Sequence, residues 1–205
     1  KEELIEKADQ ALYHAKEEGK NKVVVWDSHL FNTLHRVDRL AGILTGNTNS
    51  DERNILAVLD VINIAKDIKN RKKKIFEFLG RITETMEAES SSLIEIDNEQ
   101  NISQIYSRSR LKQEWVRNPY INMEIVKRVI KNKKGEFLID WDEDYAKDKV
   151  LNTPNWQSVM AIPIIIKSRI KGVGYMNVPM KEKEFDYSSY NLAKMLWDLF
   201  ALSYY

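Results

Sequence analysis

Gln157-Ser158-Val159-Met160-Ala161-Ile162-Pro163-Ile164-Ile165-Ile166, then Lys167-Ser168-Arg169, then Gly172-Val173-Gly174-Tyr175-Met176-Asn177-Val178: these residues decide the fold. The first stretch is short, almost continuously apolar and rich in Val and Ile, the pattern of a buried strand. Lys167 to Arg169 is a polar turn, and Gly172 to Val178 returns as a second strand. Two strands joined by so short a turn pair antiparallel, so the domain around them is built on a sheet.

Downstream, Asp186 or Ser188 is placed to cap a final helix whose core face is Tyr190, Ala193, Leu196, Trp197, Phe200 and Ala201. Upstream, Leu93 to Ile96 and Ile102 to Ser107 read as a hairpin around Asp97-Asn98, Asn122 to Asn132 as a helix, and Glu136 to Asp140 as a further strand. Residues 141–156 lie between the third and fourth strands and carry Trp141, Tyr145, Leu151 and Trp156. A connection of this length is characteristic of a functional loop or lid.

Before the first hairpin, Val58, Val61, Ala65, Ile68, Lys72, Ile75, Leu79, Ile82 and Met86 alternate steps of three and four. This heptad seam predicts one long helix from residue 54 to 86, ~45–50 Å at ~1.5 Å per residue, with a polar break at Lys72. Gly80 weakens it by about 1 kcal/mol relative to Ala if exposed. Asp51 caps its start after the small, polar loop Thr45 to Ser50. Phe31 to Leu44 has helical spacing. Residues 2–18 form an amphipathic helix (Leu4, Ile5, Ala8, Leu12, Ala15) closed by Gly19, with a short strand from Lys22 to Trp26. From residue 52 the order is α-β-β-α-β-β-β-α. That order predicts an α+β domain with an antiparallel sheet of five or six strands flanked by helices and preceded by a long helix.

The bulk composition narrows the function. The chain has 205 residues, 43% of them hydrophobic, which is enough for one substantial core. Its 32 basic residues balance 31 acidic ones, so no global field draws it to nucleic acid or to an anionic membrane. It has no cysteine, which removes disulfides, thiolate metal sites, thiol nucleophiles and thioether-linked chromophores. The apolar runs are far shorter than the ~20 residues of a membrane span. With no signal peptide at its start, the expected location is the cytoplasm.

Two stretches resemble known families. Residues 3–23, with Ala8-Asp9-Gln10-Ala11-Leu12-Tyr13-His14-Ala15-Lys16 leading through Gly19-Lys20-Asn21 to Val23, resemble the end of a GGDEF domain. Val159-Met160-Ala161-Ile162-Pro163-Ile164, Ile170-Lys171-Gly172-Val173-Gly174-Tyr175 and Phe185-Asp186 before an apolar helix resemble a GAF domain, a PAS-related fold. The resemblance implies three parts: a GGDEF tail over 1–27, a helical linker over 28–71 and a GAF sensor domain over 72–205. It further implies a regulatory region of a diguanylate cyclase, controlling synthesis of cyclic di-GMP from GTP in a bacterium. The turn that names the GGDEF domain is absent and the chain has no Gly-Gly pair, so this chain is expected not to be an enzyme. The Asn-Lys-Phe-Asp-Glu motif of cyclic-nucleotide-binding GAF domains is also absent.

Within that frame a small-molecule pocket is expected on the sheet face away from the long helices. Phe137, Ile139, Trp141, Tyr145, Trp156, Val159 and Tyr175 are its candidate walls, and strand alternation turns about half of them to the helices instead. The outer part of the heptad seam, Val58, Val61, Ala65 and Ile68, is the candidate dimer helix of a parallel homodimer that transmits the sensor's state. The other reading is a ligand-free GAF module serving dimerisation alone. No metal or cofactor is expected. His14, His29 and His35 all precede the sensor domain, and Asp142, Glu143, Asp144 and Asp148 lack the spacing of a calcium loop. Arg71 to Lys74 reads as a solvated helix face. A GAF-fold methionine sulfoxide reductase needs a nucleophilic cysteine and is rejected.

Overall fold

The computed structural model describes residues 42–140 and 156–205 throughout; within 1–41 it describes Leu4, Lys7, Ala8, Ala11, Leu12, Ala15 and residues 23–26. The chain divides into two units, Lys1–Ala41 and Gly42–Tyr205. In the first, the six described residues between 4 and 15 are helical, as their spacing predicts. Residues 23–26 form no strand, contrary to expectation, and Lys7 Nζ sits 4.5 Å from the centre of the Trp26 ring.

The second unit runs α1 (Thr48–Asp67), α2 (Arg71–Met86), β1 (Ser90–Ile96), β2 (Ile102–Ser109), α3 (Met123–Asn132), β3 (Glu136–Asp140), β4 (Gln157–Ile166), β5 (Arg169–Pro179) and α4 (Tyr187–Tyr204). The five strands make one antiparallel sheet in the order β2-β1-β5-β4-β3. The β4–β5 turn places Lys167 and Ser168 at φ 46° and 65°, the paired left-handed geometry of tight hairpins. Asp186 is the cap of α4, its side chain accepting from Ser189 N at 2.8 Å.

The predicted single helix over 54–86 is two helices. The chain leaves helical geometry at Ile68 (φ −94°, ψ 109°), and Asn70 caps α2 by accepting from Lys73 N at 3.0 Å. The two run antiparallel: Lys74 Nζ donates to Ala65 O at 2.8 Å, Arg81 pairs with Asp60 at 3.0 Å, and Arg53 with Glu87 at 3.6 Å. The seam periodicity continues across the reversal because both helices present it to one interior. Val61 is fully buried there, Val58 packs against the same core, and Ala65 and Ile68 are half-buried. Of the four candidate dimer residues, Val61 and Val58 therefore serve this chain's own packing.

Helices α2 and α4, with α1 packed on them, cover one face of the sheet and α3 the other, so the sheet is flanked by helices as expected. On the first face Phe78 stacks on Phe200 at 4.0 Å and meets Trp197 edge-on at 4.7 Å. Gly174 lies under the Trp197 indole so closely that a Cβ there would come within 2.2 Å of the ring. Gly80 is buried against Arg108, whose guanidinium lies 4.0 Å from the Phe76 ring centre and donates to Phe76 O at 2.7 Å. A Cβ at Gly80 would stand 1.8 Å from that guanidinium. Gly80→Ala, a substitution that stabilises an exposed helix, is therefore expected to destabilise this one by about 1–3 kcal/mol through overpacking. Urea unfolding of the two forms checks the sign.

Candidate ligand-binding face

The α3 side of the sheet combines an apolar centre with a polar end. Residues paired across a ladder share a face, so the register identifies its members. Leu138, Val159, Asn177, Ser90 and Ser109 form one row across the five strands. Glu136, Ala161, Tyr175, Ser92 and Ser107 form the next. Ile125, Val126 and Val129 of α3 pack onto the middle of this face, against Val159, Ala161, Val173 and Tyr175.

Toward the end of β3 and the start of β4 the same face turns polar. Asn177 Nδ2 donates to Gln157 Oε1 at 3.0 Å and to Glu89 Oε2 at 3.2 Å, while Ser90 Oγ donates to Asn177 Oδ1 at 2.6 Å. Ser92 and Ser107 share a hydrogen bond at 2.7 Å. Asp140, directly opposite Gln157, accepts from Tyr120 OH at 2.5 Å and from Asn122 Nδ2 at 3.0 Å, and Asn122 N donates to Tyr175 OH at 3.1 Å. Asn122 is also the cap of α3, so this clamp fixes where that helix starts over the sheet.

One polar group on this face is unspent. Gln157 is fully buried, and among the described residues its Nε2 has no hydrogen-bond partner. An orphaned buried amide donor costs roughly 1–3 kcal/mol and calls for an explanation. Ser91 Oγ and Trp197 Nε1 are likewise unpartnered, but both lie on the opposite face against the helices. Gln157 instead stands at the sheet end, beside Asp140 and three residues' polar groups already linked together.

The seven candidate wall residues divide. Val159 and Tyr175 lie on this face, in the apolar centre. Phe137 and Ile139 point the other way: Phe137 pairs with Met160 and its ring lies 5.6 Å from Tyr190 of α4, and Ile139 pairs with Ser158. Trp156 is half-exposed at the entry to β4. Trp141 and Tyr145, like the acidic residues 142–148 and the three histidines, lie outside the described residues. Sequence reasoning missed Gln157, Asn177, Asp140, Tyr120 and Asn122. The available signal was an amide set into strands otherwise made of Val, Ile and Met.

A cavity of about 320 Å3 lies elsewhere, between the ends of α2, the starts of α1 and α4 and the loop before α1. Its charges are matched among themselves: Glu87 meets Arg53 at 3.6 Å and Lys183 at 3.4 Å, and Arg81 lies 3.9 Å from Glu84. Arg81 Nε, a buried atom of its lining, makes no hydrogen bond among the described residues, but it is already ion-paired with Asp60 at 3.0 Å, so the sheet face is the stronger site. Among the described residues no group of three His, Cys, Asp or Glu converges to hold a metal, and no helix is long and apolar enough to cross a membrane.

No family model and no curated protein matches the sequence. Solved structures do match in fold. The GAF domain of a Coxiella burnetii phosphoenolpyruvate-protein phosphotransferase superposes with a TM-score of 0.53 at 14% identity, covering 74% of this chain and 92% of its own. The GAF domain of an Acinetobacter phosphoenolpyruvate-protein phosphotransferase gives 0.52 at 11%, covering 73% and 90%. The A. aeolicus nlh2 GAF domain in an inactive state gives 0.51 at 15%, covering 75% and 96%. The second unit of this chain thus has the α+β fold of GAF domains.

Glu89 offers a check on the polar end. Burial raises its carboxyl above the ordinary range, the nearby Glu182 adds to this, and Asn177, Arg110 and Lys181 oppose it. A raised carboxyl binds protons more tightly folded than unfolded, so its contribution to stability falls as pH rises past the ordinary carboxylate range. Glu89→Gln keeps an acceptor for Asn177 and removes the charge. It is expected to raise the melting temperature at pH 7, with the difference shrinking toward pH 4 in a calorimetric series.

Proposed function

We propose that this chain is the regulatory region of a GGDEF-family protein, with its GAF-like unit binding a small molecule at the polar end of the α3 face. The chain itself acts as a sensor and performs no catalysis. Its output is control of cyclic di-GMP synthesis by the domain whose closing helix residues 3–23 resemble. The observation that carries the sensor reading is the fully buried Gln157 amide with no acceptor for its Nε2, set beside the linked Asn177, Ser90 and Glu89. A ligand carbonyl or hydroxyl placed there would satisfy it. The lining is amide, hydroxyl and carboxyl, which favours a hydrogen-bonding ligand over an anionic one.

A second reading, a ligand-free module acting only in association, is favoured by the close packing of Val159, Ala161 and Tyr175 against α3. Native mass spectrometry of the purified chain, with and without Gln157→Leu, separates the two. The sensor reading expects an additional small mass on the wild type that the variant loses. The ligand-free reading expects a bare chain in both forms and no stabilisation from Gln157→Leu, because loss of Gln157 Oε1 leaves one Asn177 Nδ2 hydrogen unpaired in place of the Gln157 donor. The second result would sink the sensor reading. The cyclase assignment is tested separately, by assaying a protein extended upstream of Lys1 for conversion of GTP to cyclic di-GMP.

A further inference from the structure

We propose that the outer face of α1 is a self-association surface for a second copy of this chain, with the two α1 helices crossing antiparallel. The inner face of α1 is spent: Ala57 and Val61 are fully buried, with Val58 and Ile64 packed beside them. On the opposite side Ile55, Leu56, Leu59 and Ile62 remain 45, 48, 50 and 43% exposed. A solvent-facing helix ordinarily carries polar residues there. A contiguous apolar stripe on an exposed helix marks an interaction surface.

The ends of the stripe say what covers it. Glu52, Ile55, Leu59, Ile62 and Lys66 follow steps of three, four, three and four, so they share one line along the helix. Glu52 and Lys66 are both exposed, and neither makes an ion pair among the described residues. Each stands seven residues from Leu59, ~10.5 Å at the helical rise. A two-fold axis through Leu59 therefore brings Glu52 of one copy to Lys66 of the other, and does so twice. A parallel pairing would set Glu52 against Glu52 and Lys66 against Lys66. The stripe is self-complementary in charge in one orientation only. This arrangement differs from a parallel dimer through Val58, Val61, Ala65 and Ile68, and it does not depend on whether the α3 face binds a ligand.

A single helix crossing is smaller than the ~1,600 Å2 of a standard interface, so the dimer is expected to be reversible, with a dissociation constant in the micromolar range. Sedimentation velocity of the full chain over a concentration series, at low ionic strength, reads it directly. Leu59→Glu is expected to raise the dissociation constant at least about tenfold. Glu52→Lys and Lys66→Glu are each expected to weaken association by about tenfold, and an equimolar mixture of the two to restore it as a heterodimer. None of the three residues touches the core, so melting temperatures should match the wild type, and the mixing experiment is free of any folding defect. A wild type that stays monomeric throughout the series, as it would if residues 1–41 occupied the stripe, overturns the proposal. So does a dimer indifferent to Leu59→Glu, or charge variants whose mixture associates no better than either alone.

Discussion

Both faces of the central strands are covered by helices, and the rest of the structure depends on that. In a sheet with one wet face, polar residues in strands need no account. Here β1, β4 and β5 run almost entirely buried, so each polar side chain in them has to be matched inside the protein. Most are. Ser158 accepts from Phe185 N at 2.9 Å and so draws the segment before α4 onto the sheet. Ser92 meets Ser107, and Asn177 joins three neighbours across two strands. Against that background the unspent donor of Gln157 stands out, where in a half-exposed strand water would have answered it.

The helical face is fastened at the corner where α1 gives way to α2. Arg71, the first residue of α2, donates to both carboxylate oxygens of Glu95 at 2.7 and 2.8 Å, and Tyr204 OH donates to Glu95 Oε1 at 2.8 Å. Glu95 is nearly buried in β1, so its charge is acceptable only with these partners. One side chain thereby ties the turn between two helices, the middle of the sheet and the end of α4. Burial and the Glu95 carboxylate push the Tyr204 hydroxyl well above its ordinary value, so it remains a donor over the whole working range. With the corner held, α1 lies back along α2 and α4 instead of projecting away.

The strands were legible because their residues are strongly patterned and bounded by turn chemistry. Glu136–Asp140 and Gln157–Ile166 fall where the sequence alone places them, and Asp97-Asn98 and Lys167-Ser168 mark the turns. The helix reversal was not legible, because a heptad seam records which residues face an interior and not whether the axis continues. Asp67-Ile68-Lys69-Asn70 contains neither Gly nor Pro, and its one cue is that Asn70 can cap a helix. Phe137 and Ile139 show a second limit. Alternation separates two faces without saying which is which, and Phe137 and Ile139, both partly exposed, fall on the face opposite to Val159 and Tyr175. The site was sought among large rings, whereas the groups that distinguish one face are the amides of Gln157, Asn177 and Asn122.

The same reversal changes the meaning of α1. A straight helix from 54 to 86 would have one seam to offer a partner, and that seam would be Val58, Val61, Ala65 and Ile68. Folded back, the helix spends Val58 and Val61 on its own core and turns Ile55, Leu56, Leu59 and Ile62 outward. Residues that look like excess hydrophobicity in a solvent-facing position thus become the ones with an interaction to explain. Their charged ends, Glu52 and Lys66, then govern orientation, because like charges repel in the parallel arrangement and opposite charges meet in the antiparallel one.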